Sequence, residues 1–149
     1  MVWQIIVIAM IGYLIGSINL SIILCKAMGK GDIRSYGSGN AGMTNALRVL
    51  GLGPAILVFI FDVLKSFIPI LIAKYLILLG NIPTESLELA QELSILSAAL
   101  ATILGHDYPI YYEFKGGKGI ATSLGAITII EWRIRTNLFC VCAINNTFI

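Results

Sequence analysis

Residues Val2 to Leu24 are apolar except for Gln4, Ser17, Asn19 and Ser21. A helix rises 1.5 Å per residue, so about 20 such residues cross a hydrocarbon layer roughly 30 Å thick. A second run, Ala55 to Gly80, is also long enough. A third, Leu93 to Gly105, spans only if it starts among the preceding glutamates, and a fourth, Ile120 to Ile130, is too short. Across 149 residues the chain is 58% hydrophobic and 12% charged, about half the charge of soluble domains. A soluble core of this length could not hide so much apolar surface. The expected class is therefore all-α: a polytopic membrane helical bundle forming a single domain over residues 1–149.

A net charge of +2 is too small for nucleic-acid binding by bulk electrostatics. Cys25, Cys140 and Cys142 are odd in number and lack metal-ligand spacing. They read as small apolar residues, with neither disulfide nor metal expected.

The polar segments set an expected topology. A cleaved leader carries Lys or Arg before its apolar stretch; here the first cation is Lys26, after it. The first helix is thus expected to be retained, with the N-terminus outside. Gly12, Gly16 and Ser17 share nearly one helical face, where small residues permit close packing. Lys26, Lys30, Arg34 and Arg48, opposed by Asp32 alone, mark the next segment as cytoplasmic. Pro54 fits the first turn of the second helix. Asp62 and Lys65 share a face within that run, reading either as a self-neutralising ion pair or as support for a nearby site. The loop around Asn81–Glu85, with Glu88 and Glu92, is expected outside, where Thr84 caps a short amphipathic helix. The chain then returns, placing residues 106–119 on the same side as residues 36–48.

These two polar islands carry the chemistry. In the first, Gly37, Gly39 and Gly42 permit left-handed backbone and close approach of a ligand. Successive N–H groups there would form an anion nest, reinforced by a helix starting near Ala41. Ser38 and Asn40 add donors. Thr44, Asn45 and Arg48 fall together one turn on, and Arg48 offers a planar fork for two phosphate oxygens. Gly37-x-Gly39-x-x-Gly42 imitates a dinucleotide fingerprint but lacks the preceding strand. In the second island, Gly116-Gly117-Lys118-Gly119 before a helix offers open N–H groups and one ammonium, although Tyr112 and Gly119 break a Walker pattern. Thr122 and Ser123 follow in that helix, and Lys115 reads as a solvated or headgroup-facing charge. His106, the chain's single histidine, reads either as a loop-orienting or ligand-contacting group or as a general base.

Gly37 through Arg48 and Gly105 through Pro109 with Phe114 through Thr122 resemble signatures of the bacterial acyl-phosphate:glycerol-3-phosphate acyltransferase (PlsY) family. Gly16-Ser17-Ile18 and Asp62-Val63-Leu64-Lys65 resemble two further stretches, and the likeness covers about residues 5 to 126. It implies a cell-membrane enzyme, in the bacterial inner membrane, with its site on the cytoplasmic side. The enzyme moves an acyl group from an acyl-phosphate to the 1-hydroxyl of glycerol 3-phosphate. The products are lysophosphatidic acid and phosphate, for phospholipid biosynthesis. No CoA, acyl carrier protein, metal or other cofactor is implied. By carry-over, Ser38, Arg48 and Lys118 hold phosphate, with Asn40, Asn45 and His106 shaping the pocket. The candidate catalytic residues are His106, Lys118 and Arg48, and the candidate phosphate-binding set is Ser38, Gly39, Asn40, Asn45, Arg48, Gly117 and Lys118. Implied partners are the two substrates, membrane lipids and the enzyme that makes the acyl-phosphate. With no evident base, the acceptor's own phosphate is left to take the hydroxyl proton.

The chain departs from the family pattern at Asn19, usually Pro, and at Ser66, often Gly. The larger departure is the tail, residues 127–149, which lacks the late His-Arg-x-x-Asn-Ile type motif. A truncated or frame-shifted member is expected, with little or no turnover from these 149 residues. Two other classes stand beside the enzyme: an inactive membrane lipid-binding or scaffold protein, and a small membrane transporter.

Overall fold

The computed structural model describes residues 2–78 and 83–131. They form α1 (Val2–Gly16), α2 (Leu20–Ala27), α3 (Met43–Leu50), α4 (Leu52–Leu64), α5 (Phe67–Leu78), α6 (Thr84–Asp107) and α7 (Ile120–Glu131), with 3-10 turns at Ile33–Ser35 and Ile110–Tyr112. There is no strand among the described residues. Three stretches are long and apolar enough to cross a membrane: Val2–Ala27, Leu52–Ile77 and Ser86–Tyr112.

Two of the three are broken helices rather than the continuous ones the apolar runs predict. The first breaks at residues 17–19. Asn19 takes an extended conformation and its Oδ1 accepts from the N–H groups of Ser21 and Ile22 and from the Ser21 hydroxyl. That side chain offers the backbone an N-cap in place of the next helical turn, so the chain restarts as α2. The second breaks at Lys65 and Ser66, between α4 and α5. By contrast, the expected short helix at Thr84 and the third apolar run are one helix of 24 residues. Thr84 is its first residue and Pro83 holds the cap position, with no side-chain cap hydrogen bond.

Packing follows the small residues. An added Cβ on Gly105 of α6 would collide with the Tyr13 carbonyl of α1, and one on Gly16 with the Thr102 carbonyl. On Gly12 it would lie 2.9 Å from the Ala98 carbonyl oxygen. The expected small-residue face of α1 is thus the seam against α6. Gly125 makes the same kind of approach from α7 to the Val63 carbonyl of α4. Ile8, Ile70, Ala73, Ile77, Ile95 and Ala98 fill the centre, while a second cluster with Ile22, Ile33, Ala41, Ala46 and Val58 seats the first island on α2 and α4.

The outside is apolar. Ile6, Met10 and Leu14 on α1, Ile56, Ile60 and Leu64 on α4, and Leu96, Leu100 and Leu104 on α6 form exposed stripes four residues apart. Asn19, Asp62, Lys65, Ser66 and His106 are buried instead. Apolar groups outward and ionic groups inward is the arrangement that lipid demands. Cys25 is buried as a free thiol, and Cys140 and Cys142 lie outside the described residues.

The seam gives a direct test. Gly105→Ala must displace backbone and is expected to cost about 1–3 kcal/mol, as overpacking does, lowering the unfolding temperature in detergent. Gly53→Ala, with nothing within 4 Å of the added carbon, is expected to leave it unchanged or raise it slightly.

Candidate functional site

The first island folds around Asn45. Its Oδ1 accepts from Ser38 N–H at 2.9 Å and its Nδ2 donates to the carbonyls of Ile33 and Tyr36 at 3.2 and 3.0 Å. Gly37 and Gly39 take left-handed φ of +59 and +72°, and at Gly37 a side chain would also strike the Asn45 amide. The expected open nest is largely closed. The N–H groups of Ser38, Gly39 and Ala41 donate to Asn45 Oδ1, the Tyr36 carbonyl and the Gly116 carbonyl. The donors left to meet a ligand lie one step further on, at the N-terminus of α3, which begins at Met43 after Gly42.

In the second island Gly116 and Gly117 pair back on the end of α6, donating to the carbonyls of Asp107 and His106 at 3.0 Å each. Gly117 is expected to present an open N–H; it instead directs it inward. Its lack of a side chain matters because a Cβ there would overlap the His106 imidazole at Nε2. Beyond Gly119 at φ +64°, α7 begins and presents a second helix N-terminus.

Arg34 clasps the two islands together. Asp32 grips its guanidinium through both carboxylate oxygens, with Nη2 at 2.7 Å from Oδ2, while Nη1 donates to the carbonyls of Tyr112 at 2.7 Å and Lys115 at 3.1 Å. The hydrogen bond from Arg34 holds the Asp32 carboxyl below the usual carboxylate range, and the same bond raises the guanidinium. Ala41 N–H to Gly116 carbonyl, at 3.4 Å, and Asn19 Nδ2 to Ala41 carbonyl, at 3.0 Å, complete the join.

Between the islands lies a cavity of about 320 Å³. Ser38, Asn40, Asn45, Arg48, His106 and Lys118, all expected site residues, line it. Gly39 and Gly117 stand behind the lining as backbone formers, for the reasons given. The first turns of α3 (Met43, Thr44) and α7 (Ile120, Ala121) face it from two sides, so two positive helix ends and two cationic side chains surround one space. Phe59, Met43 and Ile120 give it an apolar wall. Asn40 Oδ1 is buried with no partner among the described residues, leaving that acceptor for a donor such as a ligand hydroxyl.

Asp62 also lines the cavity. Its Oδ1 lies 3.0 Å from Lys65 Nζ and 3.4 Å from His106 Nδ1, yet receives no aligned hydrogen. Lys65 explains this. Its ammonium donates to the Gly16 carbonyl at 3.0 Å, to the Ile18 carbonyl at 3.2 Å and toward His106 Nδ1 at 2.7 Å. These three acceptors surround the ammonium, and Asp62 lies beside it as its counter-ion. The intrahelical pair and the site-supporting group, set apart in the sequence, are one structure.

Sequence reasoning missed the Arg34 clasp, having read Arg34 only as a topogenic charge. Asp32-x-Arg34 was the available signal, but its targets are backbone carbonyls about 80 residues away. Phe59 gave no signal at all.

Fold and site together define an integral-membrane helical protein with a partly open cavity, lined by two cationic side chains, at the join of two glycine-rich loops. The chain belongs to the glycerol-3-phosphate acyltransferase family, whose model matches residues 6–149, past the point near Ala126 where the recognisable motifs end. It is 48% identical over 130 residues to a glycerol-3-phosphate acyltransferase of Shouchella clausii (strain KSM-K16), covering 87% of this chain and 58% of that one. Against a glycerol-3-phosphate acyltransferase of Thermoanaerobacter pseudethanolicus (strain ATCC 33223 / 39E), identity is 48%, with 83% and 56% covered. The crystal structure of PlsY (YgiH), an integral membrane glycerol 3-phosphate acyltransferase, in its glycerol 3-phosphate form is 37% identical with a TM-score of 0.70, covering 92% of this chain and 62% of that one. Its lysophosphatidic acid form gives 36% and 0.66 over the same shares. The chain thus spans just over half the length of these two curated relatives. The tail beyond residue 131, with its unmatched motif, lies outside the described residues.

The clasp makes a pH prediction. A carboxyl whose folded pKa is depressed contributes its stabilisation above the ordinary aspartate range, and loses it as pH falls through the lowered value. Asp32→Asn is expected to speed amide exchange across residues 112–117 at neutral pH. The native chain is expected to approach the variant's rate only on acidification below the ordinary aspartate range. Equal rates at neutral pH would refute the clasp.

Proposed function

We propose that this cavity holds the phosphate of glycerol 3-phosphate and supports acyl transfer to its 1-hydroxyl from an acyl-phosphate. The observation that carries the reading is the convergence of Arg48, Lys118 and two helix N-termini on one cavity with an apolar wall. Such an arrangement favours a phosphate head beside an acyl chain. The two ligand forms of the similar PlsY structure support it further.

In the proposed step the acceptor oxygen attacks the acyl carbon, the bond from that carbon to the bridging phosphate oxygen breaks, and inorganic phosphate leaves. The hydroxyl proton passes to the acceptor's own phosphate. Arg48 and Lys118 hold phosphate and offset charge gathering on it, with Ser38, Asn40 and the amides of Met43 and Thr44 as neutral donors. Gly39, Asn45 and Gly117 act by shaping the loops. The reading includes a bacterial inner-membrane location, the N-terminus outside, both islands cytoplasmic, and delivery of substrate by an acyl-phosphate-producing enzyme.

The test uses the purified chain in lipid, with acyl-phosphate and glycerol 3-phosphate, following phosphate release. Arg48→Ala and Lys118→Ala are each expected to lower release that depends on glycerol 3-phosphate by roughly a hundredfold or more, the scale of losing one charge-stabilising donor. Release indifferent to both changes would overturn the reading; if these 149 residues turn over too slowly to follow, glycerol 3-phosphate binding decides, and binding indifferent to both changes would overturn it equally.

A further inference from the structure

We propose that Lys65 and Asp62 are positioning residues that hold His106 as a neutral imidazole with its proton on Nε2. In that state His106 is a hydrogen-bond donor to an anionic ligand oxygen in the cavity and not a general base. The proposal rests on the phosphate-site reading above and extends it to the protonation state of one ring.

The argument is one of donors and acceptors. A lysine ammonium has three protons and no acceptor. Lys65 Nζ lies 2.7 Å from His106 Nδ1, and its other two protons go to the Gly16 and Ile18 carbonyls. With Lys65 held as an ammonium by the Asp62 carboxylate beside it, Nδ1 accepts and carries no proton. An imidazolium would set an N–H against the ammonium at 2.7 Å, which the geometry forbids. The ring's one proton is left on Nε2, the nitrogen over which Gly117 passes without a side chain. His106 borders the cavity that Arg48 and Lys118 also line. Its backbone supports the same loop, because the His106 carbonyl accepts the Gly117 N–H.

Asp62 keeps this arrangement charge-balanced. Its Oδ1, 3.0 Å from the ammonium and 3.4 Å from Nδ1, stabilises the cation that imposes the tautomer. It also waits as the alternative partner: without Lys65, Nδ1 would protonate and donate to Asp62. A base at Nε2 would need a free lone pair facing the acceptor hydroxyl. The Lys65 contact leaves the ring's lone pair on Nδ1, where the ammonium occupies it.

His106 is the chain's only histidine, so nitrogen NMR reads this ring alone. The experiment labels histidine with nitrogen-15 in the full chain, purified in lipid without a polyhistidine tag, at neutral pH. The expected spectrum shows a proton coupled to Nε2 and an unprotonated Nδ1. Saturating glycerol 3-phosphate, or inorganic phosphate alone, is expected to move the Nε2 proton downfield, while glycerol leaves it in place. Lys65→Met is expected to transfer the proton to Nδ1. A proton on Nδ1 or on both nitrogens in the native chain would overturn the proposal, as would an Nε2 signal unmoved by both phosphates. A folded Lys65→Met variant with the native tautomer would overturn the role of Lys65; if that variant does not fold, the native spectra decide. A chain with the expected spectra but no acyl transfer refutes the acyltransferase reading alone, and a chain that turns over with the proton on Nδ1 refutes this one alone.

Discussion

The Lys65 ammonium is the interaction on which the rest of this structure depends. Breaking a helix inside an apolar span frees carbonyls that lipid cannot satisfy. This chain breaks two spans and places the breaks against each other. Lys65, at the gap between α4 and α5, donates to the carbonyls of Gly16 and Ile18 at the gap between α1 and α2. The cation's own burial is offset by Asp62 one turn earlier. Removing one partner from such a buried pair leaves an uncompensated charge, on the order of 3–5 kcal/mol. The same ammonium reaches His106 at the end of α6, so three spans meet at one nitrogen.

From that junction the cavity is assembled outward. The gap in the first span lets Asn19 face the first island and hold the Ala41 carbonyl, and Ala41 in turn meets Gly116 of the second island. The gap in the second span lets Ser66 donate to the Thr122 carbonyl of α7 at 2.8 Å, fixing the helix whose N-terminus faces the ligand space. Polar side chains therefore do two separate jobs. Asn19, Asn45, Arg34 and Lys65 bond to backbone and build the loops, leaving Arg48, Lys118, Ser38 and Asn40 to face the cavity.

The architecture was legible because its signals are compositional. Apolar runs longer than a bilayer, glycine-rich islands between them and helix N-termini beside cations can all be read without coordinates. The breaks at residues 17–19 and 65–66 were not legible. Asn19 and Ser66 are short polar side chains that a span tolerates, and only their tertiary partners turn them into interruptions. Division of labour within the islands was hidden for a related reason. Asn45 and Gly117 have the composition of a phosphate loop, but whether an N–H or amide meets a ligand depends on which carbonyls the fold brings near. Asn45 faces Ile33 and Tyr36, Gly117 faces His106, and neither group is left over. The clasp from Arg34 to Tyr112 and Lys115 depends wholly on tertiary placement.

The central claim is that residues from two distant islands form one phosphate site. A double-mutant cycle on glycerol 3-phosphate binding, by calorimetry on the chain in lipid, tests it most directly. Arg48→Ala, Lys118→Ala and the double variant are compared with the native chain. Two cations on one phosphate are expected to couple by about 1 kcal/mol or more, so that the second change costs less than the first. Strictly additive losses, or native affinity in either single variant, would contradict a shared site.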